Sequence, residues 1–165
     1  MKIRTDEKKA IAELNCYKVE LNNKPDLMAQ SLNNDGSLVL VVDMINGFCK
    51  FGSLCSDRCA EIISDLSNFL SLLPQARKIF VRDCHSESAE EFKSFPPHCA
   101  NSDESAVVDE LYAEFRAGDD LPKNSTNGFF SLVRSLPEIS AYANIAVVGV
   151  CTDICVMQLC LTLKA

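Results

Sequence analysis

Two stretches of this chain are aliphatic almost without interruption: SLVLVVD at 37–43 and NIAVVGV at 144–150. A strand with one wetted face alternates apolar and polar residues, whereas a strand covered on both faces does not. Both runs are rich in β-branched Val and Ile, and they are far shorter than the roughly 20 residues a membrane span needs. They read as strands of a parallel sheet packed between helices. A third run, KIFVRD at 78–83, is shorter and completes the pattern.

The segments between the strands carry helical periodicity. SDRCAEIISDLSNFLSLL (56–73) spaces Ile62, Leu66, Phe69, Leu70 and Leu73 along one stripe, with Ser56 or Asp57 as its cap and Pro74 as its stop. ESAVVDELYAEF (104–115) predicts a second amphipathic helix through Val107, Leu111 and Phe115. TDICVMQLCLTLKA (152–165) predicts a third, capped by Thr152. Alternating strands and helices imply a three-layer α/β/α fold with a mostly parallel sheet. Residues 1–36 are expected to form an N-terminal helical and extended segment, closed by the turn NNDG at 33–36, with the domain proper over 37–165.

Charge and cysteine usage narrow the functions open to such a domain. The net charge of −7 argues against nucleic acid or an anionic membrane as partner, leaving small solutes. The N-terminus is charged and carries no apolar signal stretch, so a cytoplasmic location is expected. There the nine cysteines are expected to be free thiols, most of them small core hydrophobes, Cys160 among them.

Each strand run ends in a reactive group. The first ends at Asp43, the next at Asp83 and His85, and the last passes through Gly149 to Cys151 and Cys155. Ligands of open parallel sheets bind beyond the carboxyl ends of the strands. The only two histidines, His85 and His98, share the loop 83–104. Asp83 and His85 point the same way in extended chain, and Pro96-Pro97 stiffens the approach to His98. One carboxylate and two imidazoles make an open metal site, although spacing alone fits two solvated loop histidines equally well. For Cys151 and Cys155 a closed zinc site lacks further ligands, and the spacing is not that of a C-x-x-C redox pair. Strand, turn and helix N-terminus together favour Cys155 as a nucleophile, its thiol pKa lowered by the helix dipole.

The segments VVDMINGF, RDCH, FPPHC, PKNSTNGFF and GVCTDICV, in this order, resemble the isochorismatase-like cysteine hydrolases, most closely their nicotinamidase branch. The similarity begins near residue 37 and reaches the end of the chain. It implies a catalytic triad of Asp43, Lys123 and Cys155, and an oxyanion hole from the backbone N–H groups of Cys151 and Cys155. It also implies a non-proline cis peptide between Val150 and Cys151. A divalent metal, zinc with iron or manganese as alternatives, is implied on Asp83, His85 and His98. Cys84 and Phe95 stand where the family has aromatic and tryptophan residues, and the chain has no tryptophan. The wall against a substrate ring then falls to Phe48, Phe95 or Phe130. The family continues past the nucleophile helix with a further strand and helix, whereas this chain stops at Ala165. A shortened domain, or a partner over the open sheet edge, are the two readings.

The implied activity is hydrolysis of nicotinamide to nicotinate and ammonia through a thioester intermediate, by a homo-oligomer. A related hydrolase of another amide, a carbamoyl or a vinyl-ether substrate is the alternative. A thiol-rich metal or redox protein is a more distant one, and it would leave Asp43 and Lys123 without a role.

Overall fold

The computed structural model describes residues 28–100 and 102–165, so residues 1–27 of the expected N-terminal segment lie outside it. A short helix α1 (Ala29–Leu32) and a turn lead into β1 (Ser37–Val42). Then follow α2 (Asn46–Cys49), α3 (Asp57–Glu61), α4 (Ile63–Ser71) and β2 (Arg77–Asp83). The rest comprises α5 (Ser102–Ser105), β3 (Asp120–Lys123), α6 (Phe129–Ser135), β4 (Asn144–Gly149) and α7 (Met157–Lys164). The four strands form one sheet in the order β3-β2-β1-β4, and every pairing is parallel.

The central strand β1 is buried along its whole length, and its side chains divide between two cores. Val39 and Val41 face α2, α3 and α4, together with Phe80, Ile63, Leu66 and Leu70. Leu38, Leu40 and Val42 face α6 and α7, together with Val81, Leu132 and Leu159. Period-two side chains feed both layers, which is why the run is aliphatic throughout.

Four expectations need correction. The helix expected over 56–73 breaks at Ile62 into α3 and α4, and Ser56 takes the cap position without a side-chain bond. Residues 104–115 form no continuous helix. The chain is instead drawn out across the end of β1, where Val107 bridges Ile45 and the Val108 N–H donates to the Met44 carbonyl at 3.1 Å. Adjacent β-branched valines favour this extended path over a helix. Val107, Val108 and Leu111 still bury their side chains, so the spacing was satisfied by turns. Cys160 is exposed rather than in the core. Finally, β3 has no counterpart among the expected strands.

Gly149 sits where β4 leaves the sheet, with φ of 114°. A Cβ built there would lie 2.1 Å from the Val42 carbonyl oxygen, a backbone atom of the neighbouring strand. Gly149→Ala is expected to cost about 3 kcal/mol or more, from left-handed strain together with the clash. Urea denaturation checks this, and an unchanged midpoint would contradict it.

Candidate active site

The sheet register brings the reactive groups to one edge. Val42 lies beside Val81 on one side and Gly149 on the other, and Asp83 lies beside Lys123. Asp43, one residue past β1, has φ of 53°, a left-handed conformation that Asp tolerates better than most residues. Its N–H donates to the Val81 carbonyl at 2.8 Å, and its Oδ1 accepts the Asp83 N–H at 2.8 Å. These bonds hold the carboxyl at the mouth of the sheet. Past Gly149 the peptide between Val150 and Cys151 is cis. One π-helical turn, Thr152–Val156, then runs into α7. Cys151, not Thr152, occupies its cap position, and no side chain caps it. Such π turns are frequent at functional sites, and this one carries Cys155.

Asp43, Lys123 and Cys155 converge. The Lys123 ammonium lies 3.0 Å from Asp43 Oδ2 and 4.0 Å from Cys155 Sγ, and it also pairs with Asp83 Oδ1. The contact to Asp43 is an ion pair rather than an aligned hydrogen bond, since Asp43 Oδ2 has no partner of good geometry. All of these side chains are buried. One ammonium thus serves two carboxylates. Burial raises the pKa of Asp43 to about 7, against the lowering pull of Lys123 and with a further push from Asp83. Burial disfavours the charged form of Lys123, but Asp43 and Asp83 outweigh it and keep the ammonium protonated. Asp83 stays below its ordinary range because His85 and Lys123 overcome its own burial.

The Cys155 thiol is a correction. Its pKa is raised, first by burial and then by the Asp43 carboxylate, and Lys123 only partly offsets this. The helix start does not make it a resting thiolate. Asp43 instead stands beside the thiol, a carboxyl oxygen and Sγ lying within 4.8 Å of one another.

Asp83, His85 and His98 present ligating atoms within 4.8 Å of one another. His98 Nδ1 lies 2.8 Å from the Pro96 carbonyl, which can only accept, so Nε2 carries the lone pair. His85 Nδ1 faces Asn124 Oδ1 at 3.2 Å, and the same oxygen accepts the Ser86 N–H at 3.1 Å. The amide is thereby oriented as acceptor and turns His85 Nε2 inward. That nitrogen is 3.5 Å from Asp83 Oδ2 and 3.7 Å from Glu91 Oε2. His85 Nε2, Asp83 Oδ2 and Glu91 Oε2 are all buried without a hydrogen-bond partner. Donors about 2.0–2.2 Å from a zinc ion sit at similar mutual spacings, so the set fits a divalent cation. Burial lowers the His85 pKa, but Asp83, Asn124 and Glu91 together raise it. A cation would take the place of the proton drawn there.

A cavity of about 160 Å³ joins the two clusters. Its walls include Asp43, Asp83, His98, Cys151 and Cys155, with Phe48, Leu54, Phe95 and Ile154 as the apolar surface. Phe48 and Phe95 thus lie where a substrate wall was expected. Phe130 does not: it is 67% exposed on the outside of α6 and away from this cavity. Glu91 and Ile154 were not anticipated. Glu91 sits on a short 3-10 turn, Glu90–Lys93, inside a loop with no periodic signal, and only its proximity to His85 in space marks it.

Comparison with known proteins bears on this arrangement. Residues 37–165 match the isochorismatase domain model. Nicotinamidase 1 from Arabidopsis thaliana is 31% identical over 150 residues, covering 77% of this chain. The match spans 60% of that relative's length. Among solved structures, PnC1 from L. infantum in complex with nicotinate superposes with a TM-score of 0.69 at 19% identity, over 85% of this chain and 77% of the other. Pyrazinamidase of Pyrococcus horikoshii in complex with zinc gives 0.64 at 23% identity, over 78% and 79% respectively. The fold is common to all of them. Among the described residues no helix is long and apolar enough to cross a membrane.

Proposed function

The chain belongs to the isochorismatase family, and on that premise we propose that it is a cysteine-dependent hydrolase of a small primary carboxamide, nicotinamide first. The observation that carries this reading is the meeting of Asp43, Lys123 and the Cys155 thiol, with Asp43 and Cys155 on the wall of one largely apolar cavity of about 160 Å³ and Lys123 buried behind them. An engineered apolar cavity of about 150 Å³ takes up benzene, so a single six-membered ring is the natural occupant. The names of the Arabidopsis relative and of the nicotinate complex point the same way.

Asp43 removes the Cys155 proton as sulfur attacks the carbonyl carbon. Lys123 remains charged throughout and keeps the ionised carboxyl tolerable in a buried site. The oxyanion is received by the backbone N–H groups of Cys151 and Cys155, donors of a kind worth about 3–4 kcal/mol each. The C–N bond breaks as Asp43 returns its proton to the leaving nitrogen, giving ammonia and a thioester. A water deprotonated by Asp43 then opens the thioester, releasing the carboxylic acid and restoring the thiol. Phe48 and Phe95 bound the ring in the cavity.

Asp83, His85 and His98, with Glu91 beside them, would hold a divalent cation, zinc being the leading candidate. When bound, it supplies a positive anchor that orients the ring nitrogen or an ordered water. His98→Ala is expected to strip the protein of one equivalent of metal, read by atomic emission after dialysis. Retention of the full equivalent would remove His98 from the ligand set.

Ammonia release from nicotinamide tests the activity, with pyrazinamide, a carbamoyl amino acid and a vinyl ether as comparisons. Turnover of the ring amides supports the reading, and turnover of only the others overturns it. The Asp43 value sets the pH dependence. The base works ionised, and its pKa is held near 7 by burial, so kcat/KM should rise about tenfold per pH unit up to about pH 7 and then level off. A profile flat from pH 5.5 to 8 would exclude Asp43 as that base.

A further inference from the structure

We infer that Glu104 is a positioning residue for the metal centre, acting through the backbone of Cys99; the inference rests on the metal-site reading above. Cys99 follows His98 directly and has φ of 49°, a conformation that a residue with a Cβ seldom adopts. Three bonds hold it there. The Cys99 N–H donates to Glu104 Oε2 at 2.6 Å, the Ser105 hydroxyl donates to the Cys99 carbonyl at 2.8 Å, and the His85 N–H donates to the same carbonyl at 3.0 Å. One strained residue therefore carries both imidazoles, His98 through its own peptide and His85 through the carbonyl on which its N–H rests.

The approach of the carboxylate is also built. A Cβ on Gly52 would lie 3.2 Å from Glu104 Cδ, and one on Gly47 would lie 3.3 Å from Glu104 Cβ and 2.7 Å from Cys99 Sγ. Two glycines thus leave the lane along which the side chain passes. The Cys99 and Ser105 side chains are fully enclosed around it. A charged acceptor on the N–H is stronger than a neutral one, which suits a bond that must keep a residue in an unfavourable well. Glu104 and Ser105 do not line the cavity, so their influence runs through the histidines. If the grip is released, Cys99 relaxes to negative φ, and both Nε2 atoms lose the mutual spacing a metal requires.

The test is cobalt(II) titration of the purified protein followed by visible absorption, with thermal unfolding by circular dichroism in parallel. The variants are Glu104→Ala, Glu104→Asp, whose carboxylate falls one methylene short, and Glu104→Gln, which keeps an acceptor oxygen at full reach. The wild-type protein should bind one cobalt ion. Glu104→Ala and Glu104→Asp should bind it about 10–100-fold more weakly with an altered d–d band, as loss of a supporting group around metal ligands does. Glu104→Gln should recover most of the affinity. Should the alanine variant fail to fold, the aspartate and glutamine pair decides. Wild-type cobalt affinity and spectrum in both Glu104→Ala and Glu104→Asp would overturn the inference, as would Glu104→Gln binding as weakly as Glu104→Asp. Absence of a cobalt site in the wild-type protein would overturn the metal reading itself and this inference with it.

Discussion

Cys155→Ala is expected to reduce ammonia release to the uncatalysed background, a loss on the order of 10⁴-fold or more, while the protein stays folded. No other described group can take over the covalent step. Cys151 lines the same cavity, but it is Cys155 whose Sγ lies 4.0 Å from the Lys123 ammonium and within 4.8 Å of Asp43. Cys151 would contribute only its backbone N–H, which Cys151→Ala retains, so that variant should keep activity to within about tenfold. Removing one sulfur from the core beside Leu159 and Val42 should cost no more than about 1–2 kcal/mol, and the charges around Lys123 remain paired. Steady-state assays and unfolding curves on both variants give the answer. Equal loss in the two would end the single-nucleophile mechanism. Full activity in Cys155→Ala would move the chemistry away from sulfur altogether.

What was readable beforehand follows from how each signal is encoded. β1 announces itself because a strand buried on both faces must be aliphatic at every position. β2 and β4 show shorter aliphatic runs, and β4, expected to be covered on both faces, is an edge strand whose residues are half-buried or exposed. Their ends deliver Asp43, Asp83 and the Cys151–Cys155 turn in sequence order. The strand carrying Lys123 announces nothing. It is the four-residue DLPK, and its Pro122 lacks a donor for the ladder, which only an edge strand tolerates. Lys123 was therefore reached by resemblance rather than by pattern. The opposite error befell 104–115, where helical spacing of Val107, Leu111 and Phe115 was fulfilled by an extended crossing and a turn. The state of the Cys155 thiol was misjudged because a helix start is a local cue, whereas burial and the facing Asp43 are tertiary. Glu91 lies outside any periodic segment and Glu104 only at the start of one, and only the folded loop reveals what their carboxylates touch.

Lys123→Met is expected to produce the largest loss of stability, about 3–5 kcal/mol at pH 8, together with loss of turnover. Methionine matches the lysine stem in length and apolar character, so packing beside Gly128 is nearly conserved and the change isolates the charge. What remains is Asp43 and Asp83, both about 1% exposed, with no cation between them. Two such carboxylates cannot both stay ionised, and the remedy is to bind a proton. Asp43 is already raised to about 7 with Lys123 present, so without it the folded-state pKa moves further up. A carboxyl whose pKa is raised by folding binds more protons folded than unfolded, so stability falls as pH rises from the ordinary carboxylate range to the folded-state pKa. The destabilisation should therefore be mild near pH 5 and grow towards pH 8, and urea denaturation of both proteins at the two pH values measures the difference. A penalty that is the same at pH 5 and pH 8 would mean that Lys123 supports the site by packing rather than by charge. No penalty at either pH would mean that the carboxylates hold their positions through Asp83 N–H and the histidine cluster alone, and that the ammonium is present for the chemistry only.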